Sequence, residues 1–253
     1  LGKILEGERG KMESNGKLWV ALDTDKAKSL EIVRRIGPAN LSVVRGVKLN
    51  RSIDQEVFRK DGEPRLLQEI TDVGMAVWAD IKAHDVARTV AGRIEPYVQS
   101  GLVQWLTVMA KGEIDMMMDA VKAGGEKVNI IAVTELTSLS EEQVHLGSGH
   151  TAKASVINLA RLAVLAGVKY LVCSGQELSA IRKRPELKKL KLFVPGVNPL
   201  FASVGSDQNR TMTIVEALKQ GADAVVVGGA IVNAPDPVDV IKRIAAEIEE
   251  AKE

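Results

Sequence analysis

The sequence has little of what marks the commonest specialised classes of protein. It holds one cysteine, Cys173, in 253 residues, so no internal disulfide can form and a thiolate metal site is not expected. No apolar run approaches the roughly 18 residues needed to span a bilayer. The opening stretch "LGKILEGERGKMESNGK" lacks the apolar centre of a secretory signal. Neither sign of charge dominates, since 34 Lys and Arg stand against 33 Asp and Glu for a net of +1. That balance argues against nucleic acid or a membrane surface as a partner. Low-complexity segments, domain linkers and a GxGxxG turn opening an early helix are also missing. The expectation left by these absences is a cytoplasmic globular protein, which 45% hydrophobic and 26% charged residues suit.

What is present is an alternation carried through the whole chain. Apolar runs of strand length occur at "LWVAL" (18–22), "LSVVRGVKL" (41–49), "AVWADI" (76–81) and "VQWLTVM" (103–109). Four more follow at "VNIIAVT" (128–134), "YLVCS" (170–174), "LKLFVP" (190–195) and "ADAVVVG" (222–228). The stretches between them, such as "DKAKSLEIVRRIG" and "TAKASVINLARLAVLAG", carry apolar residues three and four apart, the helical period. Gly124, Gly167 and Gly221 fall where helices should stop. Strand–helix units repeated in this way over about 250 residues predict a (β/α)8 TIM barrel. The barrel is expected as a single domain over residues 17–253, with residues 1–16 as an N-terminal extension capping it.

Within that frame "WADIKAHDVART" (78–89) is the informative stretch, because a buried strand runs directly into Asp80, Lys82 and Asp85. The C-terminal ends of barrel strands form the rim where chemistry is done. Asp23, Lys48, Asp80 and Lys82 stand at the ends of the first three strand candidates and therefore point to one pocket. Side chains alternate along a strand, so Asp80 and Lys82 are expected to share the inward face. Charges there cost several kcal/mol unless paired. A solvated ion network is the competing reading of "DIKAHD" taken alone.

At these residues the sequence resembles the orotidine 5'-monophosphate decarboxylase superfamily, whose DxKxxD motif corresponds to Asp80, Lys82 and Asp85. Other landmarks follow in the family's order over about residues 17–245. "LWVALD" ends in Asp23, "GVKLN" offers Lys48, and "VTELTS" offers Thr137. "VCSGQELSAIR" follows the family's VCSxxE segment, and "VPGV" and "SDQNRTMT" are similar to its phosphate-cradling elements. The resemblance implies catalysis without metal or cofactor by Lys48, Asp80, Lys82 and Asp85. It further implies substrate binding by Asp23, Thr89, Thr137, Pro195, Gly196, Gln208, Gly228 and Gly229. The substrate implied is a small phosphorylated molecule, orotidine 5'-monophosphate first, decarboxylated to uridine 5'-monophosphate. Because the family's last aspartate enters the neighbouring subunit's site, Asp85 implies a homodimer with shared active sites.

The chain also departs from the pattern. Ala87 and Arg88 replace a Pro and an Asn after the motif, and "VMAKGE" with Met109 and Lys111 replaces a VHAxGG-like end of the fourth strand. Asn198 and Gly229 stand where the family carries phosphate-binding arginines. "VGGAI" is instead similar to hexulose-phosphate synthases and keto-gulonate-phosphate decarboxylases, although those carry a magnesium-binding glutamate on the second strand where this chain reads "VVRGVKLN". The alternatives are thus a superfamily aldolase or decarboxylase acting on another sugar phosphate, or a non-catalytic nucleotide-binding barrel. Arg88 or Arg210 could help to hold a phosphate in place of the absent arginines.

Other conspicuous residues have plainer readings. Cys173 is expected as a buried thiol, "MMMDAV" (116–121) as helix packing, and Trp19, Trp78 and Trp105 as core. His84 is expected to hydrogen-bond at a helix start. His145 and His150 have no trusted ligand spacing, and "RKRPELKKLK" reads as a solvated face.

Overall fold

The β-branched and aromatic runs become strands, and the stretches with helical period become helices, in regular alternation. The computed structural model describes residues 16–57, 66–202 and 212–251. Eight parallel strands close into a barrel. They are β1 (Leu18–Ala21), β2 (Val44–Leu49), β3 (Ala76–Ala83), β4 (Trp105–Met109), β5 (Asn129–Val133), β6 (Tyr170–Val172), β7 (Lys191–Pro195) and β8 (Ala224–Val227). Every neighbouring pair is parallel, and β8 returns to β1 with Trp19 opposite Val226. Each expected strand run contains one of them, trimmed by a few residues except at β3, which runs on to Ala83.

A helix follows each strand, as the right-handed crossover between parallel neighbours requires. These are α1 (Lys26–Ile36), α2 (Leu66–Asp72), α3 (Ala87–Ser100), α4 (Glu113–Gly124), α5 (Ala152–Leu165), α6 (Leu178–Arg182), α7 (Ile214–Lys219) and α8 (Pro237–Glu250). Their starts are set by local side-chain chemistry. Asp25 accepts from the Lys28 amide at 2.8 Å, and Thr151 caps α5 in the same way. Thr213 and Glu216 form a reciprocal capping box on α7. Helix α4 runs through the expected stop at Gly124, and the next residue, Gly125, takes the positive φ of 54°. Shorter helices at Ile53–Val57, Glu141–Ser148 and Gly229–Val232 decorate the loops. Among the described residues no helix is long and apolar enough to cross a membrane. The extension expected at residues 1–16 lies, apart from Gly16, outside the described residues.

The core has two layers. Aliphatic side chains such as Ile32, Val33, Ile70, Ile94, Ile241 and Ile244 fill the space between strands and helices. Inside the barrel the filling is aromatic, with Trp19, Trp78, Trp105 and Phe193 buried together and Tyr170 against them. Trp19 meets Trp78 edge-on at 5.3 Å, and Trp105 meets Tyr170 at 4.6 Å. Such pairs contribute about 0.5–1.5 kcal/mol each beyond the area they bury. This plug gives the barrel a floor on which a site can be built. Within the run expected as a solvated face, Arg182 departs: its guanidinium donates to the Gly221 carbonyl, the Leu190 carbonyl and Asp223. It clamps the ends of β7 and β8 to α6.

Candidate active site

Above the plug lies a cavity of about 700 Å³, with Trp78 in its floor. That volume is within the range of small-molecule sites, about 300–1,000 Å³. At one end the four strand-end charges expected on β2, β3 and the loop after β1 meet directly. The Lys48 ammonium donates to Asp23 Oδ1 at 2.9 Å and to Asp80 Oδ2 at 3.0 Å. Lys82 donates to the same Asp80 Oδ2 at 2.7 Å. The result is an alternating line, Asp23–Lys48–Asp80–Lys82, running from an exposed carboxylate through a buried pair to a half-buried ammonium.

Burial and pairing oppose each other along this line, and pairing wins. Desolvation alone pushes Asp80 up, but the Lys48 and Lys82 ammonium groups hold its carboxyl below the usual range. Desolvation alone pushes Lys48 down, but Asp80 and Asp23 hold it above the usual lysine value. Both groups therefore stay charged at neutral pH.

The backbone that presents Lys82 is not regular strand. The pairing of β3 with β4 shifts register between Ala79 and Ala83, and Lys82 has φ of 46°, in the left-handed region. A non-glycine residue held there costs of order 1–3 kcal/mol and is found most often at functional sites. Simple alternation thus brings Asp80 and Lys82 to the same side for the wrong reason; a bulge re-aims the lysine. Two side chains not singled out in the sequence hold this geometry. Thr107 on β4, fully buried, accepts from the Lys82 amide at 3.0 Å and donates to Asp80 Oδ1 at 2.9 Å. Asn50 donates to the Asp80 carbonyl at 2.6 Å. Only the alternation of Trp105, Thr107 and Met109 along β4 could have marked Thr107 as inward.

Thr137, Pro195, Gly196, Gly228 and Gly229 also line the cavity, as does Asn198. Asp85 and Thr89 do not: both are exposed, and Asp85 accepts from the Val86 amide at 2.7 Å. Gln208 and Arg210 lie outside the described residues. Arg88 is exposed on α3 and does not line the cavity. His84 is exposed, and α3 starts without a side-chain cap. Lys111, one of the departures after the fourth strand, pairs with buried Glu135 at 2.8 Å, and Ser155 donates to the other oxygen of that carboxylate at 2.6 Å. Cys173 is fully buried, and burial pushes its thiol far above the usual value. Among the described residues no three His, Cys, Asp or Glu side chains converge as a metal-ligand set.

The end of the cavity that follows β8 is of different character. Gly228, Gly229, Ala230 and Asn233 line it together with Phe201 and Arg243. Arg243 comes from α8 and was not anticipated from the sequence, because it belongs to no motif and sits in a helix that reads as an amphipathic end piece.

Residues 16–244 match the model of the family described as "Orotidine 5'-phosphate decarboxylase / HUMPS family". The chain is 40% identical over 192 residues to the orotidine 5'-phosphate decarboxylase of Anaeromyxobacter dehalogenans, covering 76% of this chain and 83% of that protein. It is 34% identical over 244 residues to the protein of the same name from Pseudoalteromonas translucida, covering 94% of this chain and 99% of the relative. A crystal structure of orotidine 5'-phosphate decarboxylase from Lactobacillus acidophilus superposes with a TM-score of 0.73 at 24% identity, covering 92% and 98% of the two chains. That last likeness is one of fold.

Proposed function

The chain belongs to the orotidine 5'-phosphate decarboxylase / HUMPS family, and from that premise we propose that it decarboxylates orotidine 5'-monophosphate to uridine 5'-monophosphate. The observation that carries the reading is the Asp23–Lys48–Asp80–Lys82 line at one end of the cavity. A barrel that only bound a nucleotide would have little use for a buried, strained and fully paired charge array.

In the proposed reaction the pyrimidine lies over Lys82 with its carboxylate toward Asp80. Asp80 cannot turn away, because Lys48 and Lys82 hold one oxygen and Thr107 holds the other. The substrate carboxylate therefore faces a fixed negative charge, which is relieved as CO₂ leaves. The bond between C6 and the carboxylate breaks, and its electron pair stays on C6 beside the Lys82 ammonium. Preorganised charge in a water-poor site is worth more there than in water. Lys82 then gives a proton from Nζ to C6, and the neutral amine regains one from solvent. No cofactor is needed for this sequence. Lys48 keeps Asp80 ionised, and Asp23 is the group we assign to the ribose.

Asp85 is assigned to the site of a second subunit, which makes the working unit a homodimer. Its exposure at the rim, with no cation paired to it among the described residues, supports that assignment. The cytoplasm is the compartment proposed for the enzyme.

The test is direct. Purified protein is given orotidine 5'-monophosphate, with and without EDTA, and loss of substrate is followed by absorbance. Turnover indifferent to EDTA is expected. Magnesium-dependent turnover of a hexulose phosphate, with none of orotidylate, would move the chain to the sugar-phosphate branch of the same family. Nucleotide binding without turnover of either would leave a binding barrel.

A further inference from the structure

The phosphate of the proposed substrate is a dianion, and the glycine-lined end of the cavity has to receive it. Among the described residues the cavity's lining includes three cationic side chains, Lys48, Lys82 and Arg243. Both lysines are committed to Asp23 and Asp80. Arg243 interacts electrostatically with Glu247, one turn further along α8, but among the described residues it forms no ion pair with a carboxylate. Its guanidinium instead lies over the Phe201 ring, with Cζ 3.6 Å from the ring centroid. Stacking of that kind occupies the face of the guanidinium and leaves the N–H groups along its edge free to donate.

The helix fixes which way the residue looks. Ile241, Ile244 and Ile248 bury one face of α8 in the core. Val240 and Arg243, three residues apart, line the cavity instead. Position 229 sits beside this end with no cation of its own. We infer that Arg243 is a phosphate-binding cation of this enzyme, a C-terminal helix residue stacked on Phe201 that donates charge-assisted hydrogen bonds to the 5'-phosphate. The inference rests on the proposed function for its ligand, and fixes which end of the substrate lies where.

The test titrates uridine 5'-monophosphate, ribose 5-phosphate and uridine into the parent protein and into Arg243→Gln and Arg243→Lys, each checked for an unchanged melting temperature. Gln keeps much of the side chain's length over Phe201 without the charge, and Lys keeps the charge without the fork. A charge-assisted hydrogen bond is worth about 1.5–3 kcal/mol, so Arg243→Gln should weaken both phosphorylated ligands about ten- to hundredfold. Uridine should bind the parent and Arg243→Gln alike, and Arg243→Lys should recover part of the loss. Equal binding of uridine 5'-monophosphate by parent and Arg243→Gln would overturn the inference and leave the proposed function standing. Loss of uridine binding in step with the nucleotide would also overturn it, since that marks a structural role. A parent that binds ribose 5-phosphate through Arg243 but ignores the nucleotide would instead overturn the orotidylate reading and keep the arginine in its role. A parent that binds neither phosphorylated ligand would overturn both.

Discussion

The two ends of the cavity are built on opposite plans. At one end four charged side chains are bonded to one another before any ligand arrives, on the ends of strands and backed by Thr107 and Asn50. At the other the described lining is largely glycine, alanine and asparagine, with Arg243 stacked on the Phe201 ring. On the proposed reading the charged end has to hold its geometry closely, because charge stabilisation is useful only if it needs no rearrangement at the moment of reaction. On the same proposed reading the glycine end has only to hold an anion, which loops and a helix can do. Strain is stored at the first end, where Lys82 has a φ of 46°.

The largest effect expected of any change belongs to the charged end. Lys82→Ala should fold and bind nucleotide but lose kcat by several orders of magnitude, since proton donation alone is worth about 10²–10⁴-fold. Single-turnover decarboxylation measures this, and activity within tenfold of the parent would remove Lys82 from the chemistry. The next tests whether that end is complete in one chain. Mixing Asp85→Ala with Lys82→Ala protein should regain about a quarter of the parental activity, because in a two-fold dimer of random composition half the dimers carry one intact site. No regain after subunit exchange, shown by mass spectrometry, would confine Asp85 to its own chain.

The glycine end should respond by tens of fold rather than thousands. A Cβ at Gly229 would meet nothing closer than Asn233 Nδ2 at 3.7 Å, whereas one at Gly228 would press on Ala21 at 3.3 Å. Gly229→Arg should therefore be accommodated and tighten uridine 5'-monophosphate binding about ten- to hundredfold by calorimetry. Unchanged affinity would mean that this end of the cavity is not where the phosphate sits. Thr107→Val should be smaller again. It removes the donor to Asp80 and strands the Lys82 amide, at a cost of about 1–3 kcal/mol of stability in urea denaturation. A variant as stable as the parent would show that the bulge holds itself.

The smallest effect concerns pH. Asp80 is held below its ordinary value, so its contribution to stability is present above the unfolded value and is lost as pH falls through the folded one. Lys48 is held above its ordinary value, so its contribution is present below the unfolded value and is lost as pH rises through the folded one. Between about pH 5 and 9 the pair should add no slope to a plot of melting temperature against pH. In Asp80→Asn the desolvation of Lys48 loses its strongest counterweight, so the alkaline loss should begin at lower pH than in the parent. An identical alkaline limb would mean that Asp23 alone keeps Lys48 charged.

Much of this molecule is decided by the order of its residues. The strand and helix periods determine eight alternating units, and parallel strands joined by helices have few ways to bury both faces of a sheet. The strand-end positions of Asp23, Lys48, Asp80 and Lys82 then bring them to one rim, because every parallel strand ends on the same side. What the order of residues leaves open is whatever depends on contacts between distant segments or between chains. The twist at Lys82 arises from a register shift against β4. Thr107 matters only because β4 lies beside that shift, and the role proposed for Asp85, which faces solvent in the single chain, depends on a second chain. Arg243 is 163 positions from Asp80 in the chain, the difference of their numbers, and reads there as one more charge on an exposed helix. Only the closing of the barrel, which packs α8 against the loop after β8, turns that charge toward the cavity.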